Sequence, residues 1–318
     1  MSDQKVGVAA MGGDAKTVLS RIQDLERHGI EVAWLTTGGA GVDAMSIFSA
    51  AAATTDKILM GTCIVPTFPR HPIVTAQQVQ VVANIAPGRF RLGLGPSHRP
   101  TMKGMFGVDF HTPLTNLKEY VYVVRTLLER GSVDFDGSHY QAHARIPEPV
   151  KGVPIMASAL RTRSYEFCGA EADGAISWVS PYQFLRDTAL PVMRAAAEAA
   201  GRPTPPLVAH VPICVSDDSS KVRTAAREQL ATYPRLPFYA NMFAAAGFPE
   251  AVETNSWSDG MIDAVVLHGS EYEVADRIKD IFDYGIGEII AHVVSVGDEK
   301  ETWERSVSLL AEVSKSLT

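Results

Sequence analysis

Short apolar runs alternate with amphipathic segments of helical period along nearly the whole chain of 318 residues. The apolar runs are near-continuous, which is typical of parallel strands that are buried on both faces. Eight such runs begin at Lys5, Glu31, Lys57, Arg89, Val153, Asp173, Pro206 and Gly287. Eight strands, each followed by a helix, predict an α/β fold of the (β/α)8 TIM-barrel type that forms a single domain over residues 1–318. A doubly wound open sheet is the alternative, and the count of eight favours the barrel.

Two segments interrupt this alternation. Residues Ser132–Pro149 contain Asp136-Gly137, a dipeptide typical of tight turns, and predict a small β excursion before strand five. Residues 234–260 form a long insertion between strand seven and a helix that begins near Ser270. Insertions that follow barrel strands lie at the C-terminal face, where active sites are built. We therefore expect the insertion to cover the site and to shape its apolar part with Tyr239, Met242, Phe243, Phe248 and Trp257.

Composition and charge narrow the class of protein. The chain is 46% hydrophobic and 20% charged, with a formal charge of −7 and no basic runs, which argues against a general nucleic-acid or anionic-membrane surface. Cys63, Cys168 and Cys214 lie in separate apolar segments without CxxC spacing, so we expect buried thiols in a reducing compartment. The N-terminus lacks the pattern of a signal peptide, and no apolar run approaches the ~20 residues of a membrane span. The predicted location is the cytoplasm.

Polar residues that directly follow the strands are the candidates for chemistry, because barrel active sites collect there. Arginines and histidines cluster after strands three, four and five with few carboxylates, which suits an anionic ligand such as a phosphate-bearing cofactor. The candidates are Thr67, Arg70 and His71 after strand three; Ser97, His98 and Arg99 after strand four; Ser158, Arg161 and Arg163 after strand five; and Ser177 and Trp178 after strand six. Any single arginine can equally be a surface or helix-start residue, and His98 can be a proton donor or a hydrogen-bonded structural histidine. No metal-ligand spacing, GxSxG elbow or P-loop is present.

Six short segments occur in a specific order and spacing: GTCIVPTFPRHP (61–72), APGRFRLGLGPSHRP (86–100), FDGSHY (135–140), VPIMASA (153–159), EADGAIS (171–177) and HGSEYEVADRI (268–278). Through them the chain resembles, over essentially its full length, the luciferase-like monooxygenase superfamily of flavin and deazaflavin oxidoreductases. The resemblance is closest to the branch that uses the 8-hydroxy-5-deazaflavin coenzyme F420. It implies a barrel with this cofactor at the C-terminal face.

The resemblance also implies roles for particular residues. In that branch strand three bulges through a non-proline cis peptide behind the deazaflavin ring, and the matching bond is Cys63–Ile64. We interpret Gly61-Thr62-Cys63 as a break in regular strand geometry that lets backbone approach the ring; a plain strand with a small residue for packing is the alternative. The implied phosphate contacts are free N–H groups of Ser158, Ala159 and Leu160, and the implied acid/base is His98. The full set of implied cofactor contacts is Thr62, Cys63, Ile64, Ser97, Ser158, Ala159, Leu160, Arg161, Ser177 and Trp178.

The function that the resemblance implies is hydride transfer between the deazaflavin C5 and a small organic substrate, with His98 giving or taking the proton. One alternative is an FMN-dependent monooxygenase that is fed by a separate reductase, and another is a non-catalytic flavin-binding protein. Thr36-Thr37-Gly38 stands where the sugar-phosphate dehydrogenase branch has an acidic-histidine pair, so we do not expect that branch's substrate. The resemblance further implies a homodimer, and no nucleic acid, membrane or metal is expected as a partner.

Overall fold

A computed structural model describes residues 4–317 and shows a closed barrel of eight parallel strands. The barrel strands are β1 (Lys5–Ala9), β2 (Val32–Leu35), β3 (Leu59–Thr62), β5 (Phe90–Gly95), β8 (Ile155–Ser158), β9 (Ala175–Trp178), β10 (Leu207–Val215) and β12 (Glu288–Val293). They pair in that order around the barrel, and β12 returns to β1. The predicted barrel is confirmed and the open sheet is wrong.

Helices follow the strands and cover the outside of the barrel. They are α1 (Ala15–His28), α2 (Ala44–Thr54), α3 (Pro72–Ile85), α4 (Arg99–Phe106), α5 (Pro113–Arg130), α6 (Thr162–Glu171), α7 (Tyr182–Phe184), α8 (Leu190–Ala199), α9 (Ser219–Gln229), α10 (Pro237–Ala245), α11 (Glu250–Thr254), α12 (Asp259–Val265), α13 (Glu271–Asp283) and α14 (Glu299–Leu317). A π-helical segment, Leu185–Ala189, joins α7 to α8, and a 3-10 turn, Tyr233–Arg235, precedes α10. Side chains of Asp14, Asp43 and Ser270 accept backbone N–H groups in the first turns of α1, α2 and α13, which sets where these helices begin. No helix in the described range is both long and apolar enough to cross a bilayer.

Four short strands lie outside the regular barrel pattern. The strands β6 (Ser132–Asp136) and β7 (Gln141–Arg145) form an antiparallel hairpin. This confirms the predicted β excursion, and the Glu119 carboxylate holds its turn by accepting the Ser138 and His139 N–H groups. The strand β4 (Val65–Pro66) pairs with β5, and β11 (Leu267–Gly269) pairs with the end of β10.

The lower part of the barrel interior, toward the N-terminal strand ends, is closed by a polar and aromatic cluster. The Trp34 indole Nε1 donates to Glu288 at 2.7 Å, and Arg91 forms a bidentate pair with the same carboxylate at 2.6 and 2.9 Å. The Arg91 guanidinium also lies over the Trp34 ring, 4.6 Å from its centroid. A Cβ at Gly61 would lie 2.5 Å from that ring. Gly61 therefore makes room for Trp34.

This finding corrects the interpretation of Gly61. Gly61 pairs in regular register with Trp34 on β2 and with Arg91 on β5, so strand geometry continues through Thr62. The irregular backbone begins only at Cys63.

An apolar layer separates this cluster from the C-terminal mouth. It contains Ala9, Met156, Ile176, Val208 and Ile290, each at most 3% exposed. Because every second residue of a barrel strand points inward, the next inward positions of the same strands lie at the mouth.

The three cysteines are buried and unpaired, as predicted. Burial raises the pKa of the Cys63 thiol to about 12 and that of Cys214 to about 11, so both are protonated at neutral pH.

A candidate active site at the barrel mouth

The uppermost inward layer of the barrel is polar, in contrast to the apolar layer beneath it. It contains Thr36, Cys63, Ser158, Trp178, His210 and His292. Thr36, Ser158, Trp178 and His292 keep partial exposure, whereas the residues one layer down are buried. The mouth is therefore the part of the interior that a ligand can reach.

Hydrogen bonds from the loop after β2 fix the backbone at the end of β3. The Cys63–Ile64 peptide bond is cis, as predicted. The Thr36 hydroxyl donates to the Cys63 carbonyl at 2.7 Å, and the Thr37 N–H donates to the Ile64 carbonyl at 3.2 Å. The Ile64 side chain lies against Gly95, where a Cβ would be 3.0 Å from Ile64 and would overlap the Ser158 hydroxyl. Ile64, Gly95 and Ser158 thus form a shelf without room for a further side chain.

Two of the predicted cofactor contacts have side chains that point away from the mouth. The Thr62 hydroxyl donates to the Gly93 carbonyl and accepts the Gly93 N–H, both at 2.8 Å, and Thr62 is fully buried. Ser177 is 1% exposed, and its hydroxyl donates to the Val208 carbonyl. Both residues join neighbouring strands, because they occupy the outward positions of β3 and β9.

The start of α6 offers unpaired backbone donors, which begin two residues later than predicted. The Ala159 N–H donates to Ile176 at 2.9 Å, since the β8–β9 pairing continues past Ser158. The N–H groups without a backbone acceptor in the described range belong to residues 160–163, and no side chain caps the helix at Arg161. Within residues 4–317, the exposed Arg161 and Arg163 side chains make no hydrogen bond or ion pair. This helix start is suited to an anion.

The other basic candidates are already engaged. Arg70 forms an ion pair with Asp43 at 2.5 Å and donates to Gln78, and Arg99 donates to the Phe110 carbonyl. The His71 ring accepts the Ile73 N–H at the start of α3. Asp43 therefore neutralises the charge of Arg70, and backbone groups hold Arg99 and His71 in place.

His98 follows β5 through Ser97, whose left-handed backbone (φ 59°) turns the chain into α4. Its ring lies 5.5 Å from the Tyr239 ring, and its buried Nδ1 has no hydrogen-bond partner among the described residues. Burial lowers the pKa of His98 to about 4. The imidazole is therefore neutral at pH 7.

The sequence analysis missed the two histidines on the other side of the mouth. The His210 and His292 rings lie 4.1 and 5.1 Å from the Trp178 ring and 5.8 Å from each other. Burial and the neighbouring His292 hold the pKa of His210 well below its usual value, and burial lowers the pKa of His292 to about 4. Alternation within the strands could have found them, because His292 is two residues after the inward Ile290 and His210 is two after Val208.

Tyr233 and Tyr239 cover the mouth. Their rings lie 5.0 Å apart, and Tyr233 reaches within 5.5 Å of the Trp178 ring. Burial raises the pKa of both hydroxyls, so they stay protonated. Of the aromatic residues predicted to line the site, Tyr239 does lie beside His98.

Phe243, in contrast, packs against Phe248 and Trp257 at 6.3 and 5.2 Å. These three rings pack together as part of the main hydrophobic core rather than lining the mouth.

Two curated relatives match most of the chain. It is 26% identical over 295 residues to a 5,10-methylenetetrahydromethanopterin reductase from Methanolobus tindarius, covering 87% of this chain and 89% of the relative. It is also 26% identical over 288 residues to an F420-dependent glucose-6-phosphate dehydrogenase from Nocardia farcinica, covering 84% of each.

Solved structures share the fold along the full length. An F420-dependent secondary alcohol dehydrogenase in complex with an F420-acetone adduct matches with a TM-score of 0.81 at 18% identity, covering 99% of both chains. The oxygenating constituent of the 3,6-diketocamphane monooxygenase of Pseudomonas putida, in complex with FMN, matches with a TM-score of 0.75 at 18% identity, also covering 99% of both chains.

The family model described as luciferase-like monooxygenase matches residues 1–288. With the closed parallel barrel and the site at its C-terminal mouth, this match shows that the chain belongs to the luciferase-like monooxygenase family.

Proposed function

We propose that the protein is a coenzyme F420-dependent oxidoreductase that transfers a hydride between the deazaflavin C5 and a small organic substrate. The observation that carries this proposal is the start of α6, where unpaired N–H groups and Arg161, which has no partner within residues 4–317, follow the shelf of Ile64, Gly95 and Ser158. The curated relatives support the choice of cofactor, since one of them is an F420-dependent dehydrogenase.

The residues fit such a group. The N–H groups of residues 160–163 and the Arg161 guanidinium would hold its phosphate, because helix starts and arginines both favour anions. Gly95 lets Ile64 and Ser158 approach each other, which gives a flat ring a shelf to lie against, and Ser158 offers a hydroxyl there. When bound, the deazaflavin supplies a two-electron hydride acceptor or donor.

His98 would handle the proton. Burial lowers the pKa of His98 to about 4, so the ring is neutral at pH 7. It can therefore accept the proton of a substrate O–H while the C–H bond breaks and the hydride leaves. In the reverse direction the ring returns the proton.

FMN-dependent monooxygenation is the second candidate. FMN also carries a phosphate and a flat ring, and an FMN-bound monooxygenase shares the fold. A flavin-binding protein without catalysis would use the same α6 start, but would have no need of the unpaired Nδ1 of His98.

The test is a titration with F420 and with FMN, in which binding is measured from the quenching of cofactor fluorescence. We expect F420 to bind in the low micromolar range or tighter, and FMN to bind more weakly. Replacement Arg161→Ala should weaken F420 binding about 5- to 10-fold, or about 1–1.4 kcal/mol. The matched control Arg145→Ala, an exposed arginine on the β6–β7 hairpin, should leave it unchanged.

Tighter binding of FMN together with oxygen-dependent product formation would establish the monooxygenase instead. Equal effects of the two arginine replacements would exclude α6 as the phosphate site.

A further inference from the structure

The wall of the mouth formed by β9, β10 and β12 is built differently from the wall formed by β3, β5 and β8. The strand order places β10 across the barrel from β3, and β12 across from β5. His210 and His292 therefore face Cys63 and the end of β5 across the opening. This wall carries two histidines and an indole, whereas the other carries the backbone shelf.

Two buried polar atoms on this wall have no hydrogen-bond partner among the described residues. His210 is 5% exposed, and its buried Nε2 has no hydrogen-bond partner among the described residues. The Trp178 Nε1 is likewise buried without a hydrogen bond of good geometry, although the Tyr233 hydroxyl lies near the indole. Buried polar groups are nearly always hydrogen-bonded in folded proteins, so these atoms point to a ligand that completes them.

The wall also lacks charge. Among residues 4–317, His292 is the only ionisable neighbour that lowers the pKa of His210, and burial alone accounts for the low pKa of His292. No carboxylate or guanidinium of residues 4–317 contributes to either imidazole. A carboxylate or phosphate buried here would face two neutral rings with no cation to balance it, which is costly in a site of low dielectric.

These residues can therefore recognise a ligand through uncharged hydrogen bonds and contacts with aromatic rings. A neutral imidazole offers one donor and one acceptor, so a pair of them can serve an oxygen that is either a hydroxyl or a carbonyl. The Trp178 and Tyr233 rings, 5.5 Å apart in a T-shaped arrangement, add apolar surface for the body of the molecule.

We propose that Trp178, His210 and His292 form a substrate subsite that binds the hydroxyl or carbonyl oxygen of a small uncharged molecule and excludes carboxylates and phosphates. The proposal rests on the proposed function in that the bound oxygen belongs to the substrate of the hydride transfer. It assigns the two histidines as specificity-determining residues.

The test uses the full chain labelled with 15N-histidine and three ring compounds of one size: cyclohexanol, cyclohexanone and cyclohexanecarboxylate. Proton–nitrogen correlation spectra at pH 7.5 report the ring nitrogens of the nine histidines. The signals of His210 and His292 are assigned from their loss in His210→Phe and His292→Gln. We expect saturable shifts of these two residues with cyclohexanol or cyclohexanone, and at least tenfold weaker binding of cyclohexanecarboxylate.

Variants provide the second arm. His210→Phe keeps an aromatic ring and removes the hydrogen bonds, so it should weaken cyclohexanol binding at least tenfold. The control His28→Phe, at the exposed end of α1, should not change it. Should His210→Phe fail to fold, His292→Gln and the wild-type titration give the answer.

The proposal is overturned if the carboxylate binds as tightly as the alcohol, or if neither histidine responds to the neutral compounds. F420 titrated into the same samples separates the two proposals. Response of His210 and His292 to cyclohexanol without F420 binding would retain the subsite and reject the cofactor, whereas F420 binding with no such response would reject the subsite alone.

Discussion

Acid should destabilise this protein more than its carboxylates alone would predict, because neutral histidines are buried at the mouth. His98 has a pKa near 6.5 when unfolded and about 4 when folded. Above pH 6.5 both states are neutral and the residue has no effect on stability. Below pH 6.5 the unfolded chain takes up a proton that the folded protein does not, so the free energy of unfolding falls until about pH 4.

The size of the effect follows from these two values. A histidine whose pKa is 6.5 in the unfolded chain and 4 in the folded protein lowers the free energy of unfolding by about 2 kcal/mol between pH 7.5 and pH 5.0. His292, with the same folded value, contributes a similar amount. The two together should cost the wild type about 4 kcal/mol over this range.

The perturbation is His98→Gln, which removes the titrating ring and keeps polar atoms. Urea unfolding followed by tryptophan fluorescence at pH 7.5, 6.0 and 5.0 should show that the variant loses about 2 kcal/mol less than the wild type on acidification. His28→Gln, an exposed histidine on α1, is the matched control and should follow the wild type. A His98→Gln variant with the pH dependence of the wild type would refute the buried neutral state of His98.

Two further predictions concern packing and assembly. Gly93→Ala places a methyl group against the Thr62 carbonyl oxygen and 2.7 Å from Ile176, so thermal or urea unfolding should show a loss of about 3 kcal/mol. Gly104→Ala, where no atom lies within 4 Å of the added Cβ, should be nearly neutral, and equal stability of the two variants would contradict the close approach of β3 and β5. Light scattering should give the mass of a homodimer of the 34.3 kDa chain. Val81→Glu, on the exposed apolar side of α3, should yield monomers. A wild-type protein that is monomeric at micromolar concentration would reject the dimer.

The barrel could be predicted from the sequence because its signal is local. Each strand is a buried apolar run, each helix has its own periodicity, and turn residues such as Asp136-Gly137 mark the hairpin. The cis bond at Cys63–Ile64 came from resemblance alone, since no local physical rule requires it.

The parts of the site that were missed depend on contacts between distant segments. Gly61 can be understood only once Trp34 of the neighbouring strand fills the barrel. The low pKa of His98 depends on its burial beside Tyr239, which belongs to the insertion far along the chain. His210 and His292 lie within strands, where a search for polar residues after strands does not look.

The insertion shares the hydrophobic core of the barrel, and this has a consequence for how the site can change. Phe243, Phe248 and Trp257 support the segment internally, and the Trp257 indole fastens it to the Leu230 carbonyl at 2.8 Å. The Arg91–Glu288 pair lies at the opposite end of the barrel from the insertion. The cover of the mouth is therefore tied to the core of the barrel, and a relative's segment grafted between β10 and β11 would have to reproduce these contacts before it could alter which molecules enter.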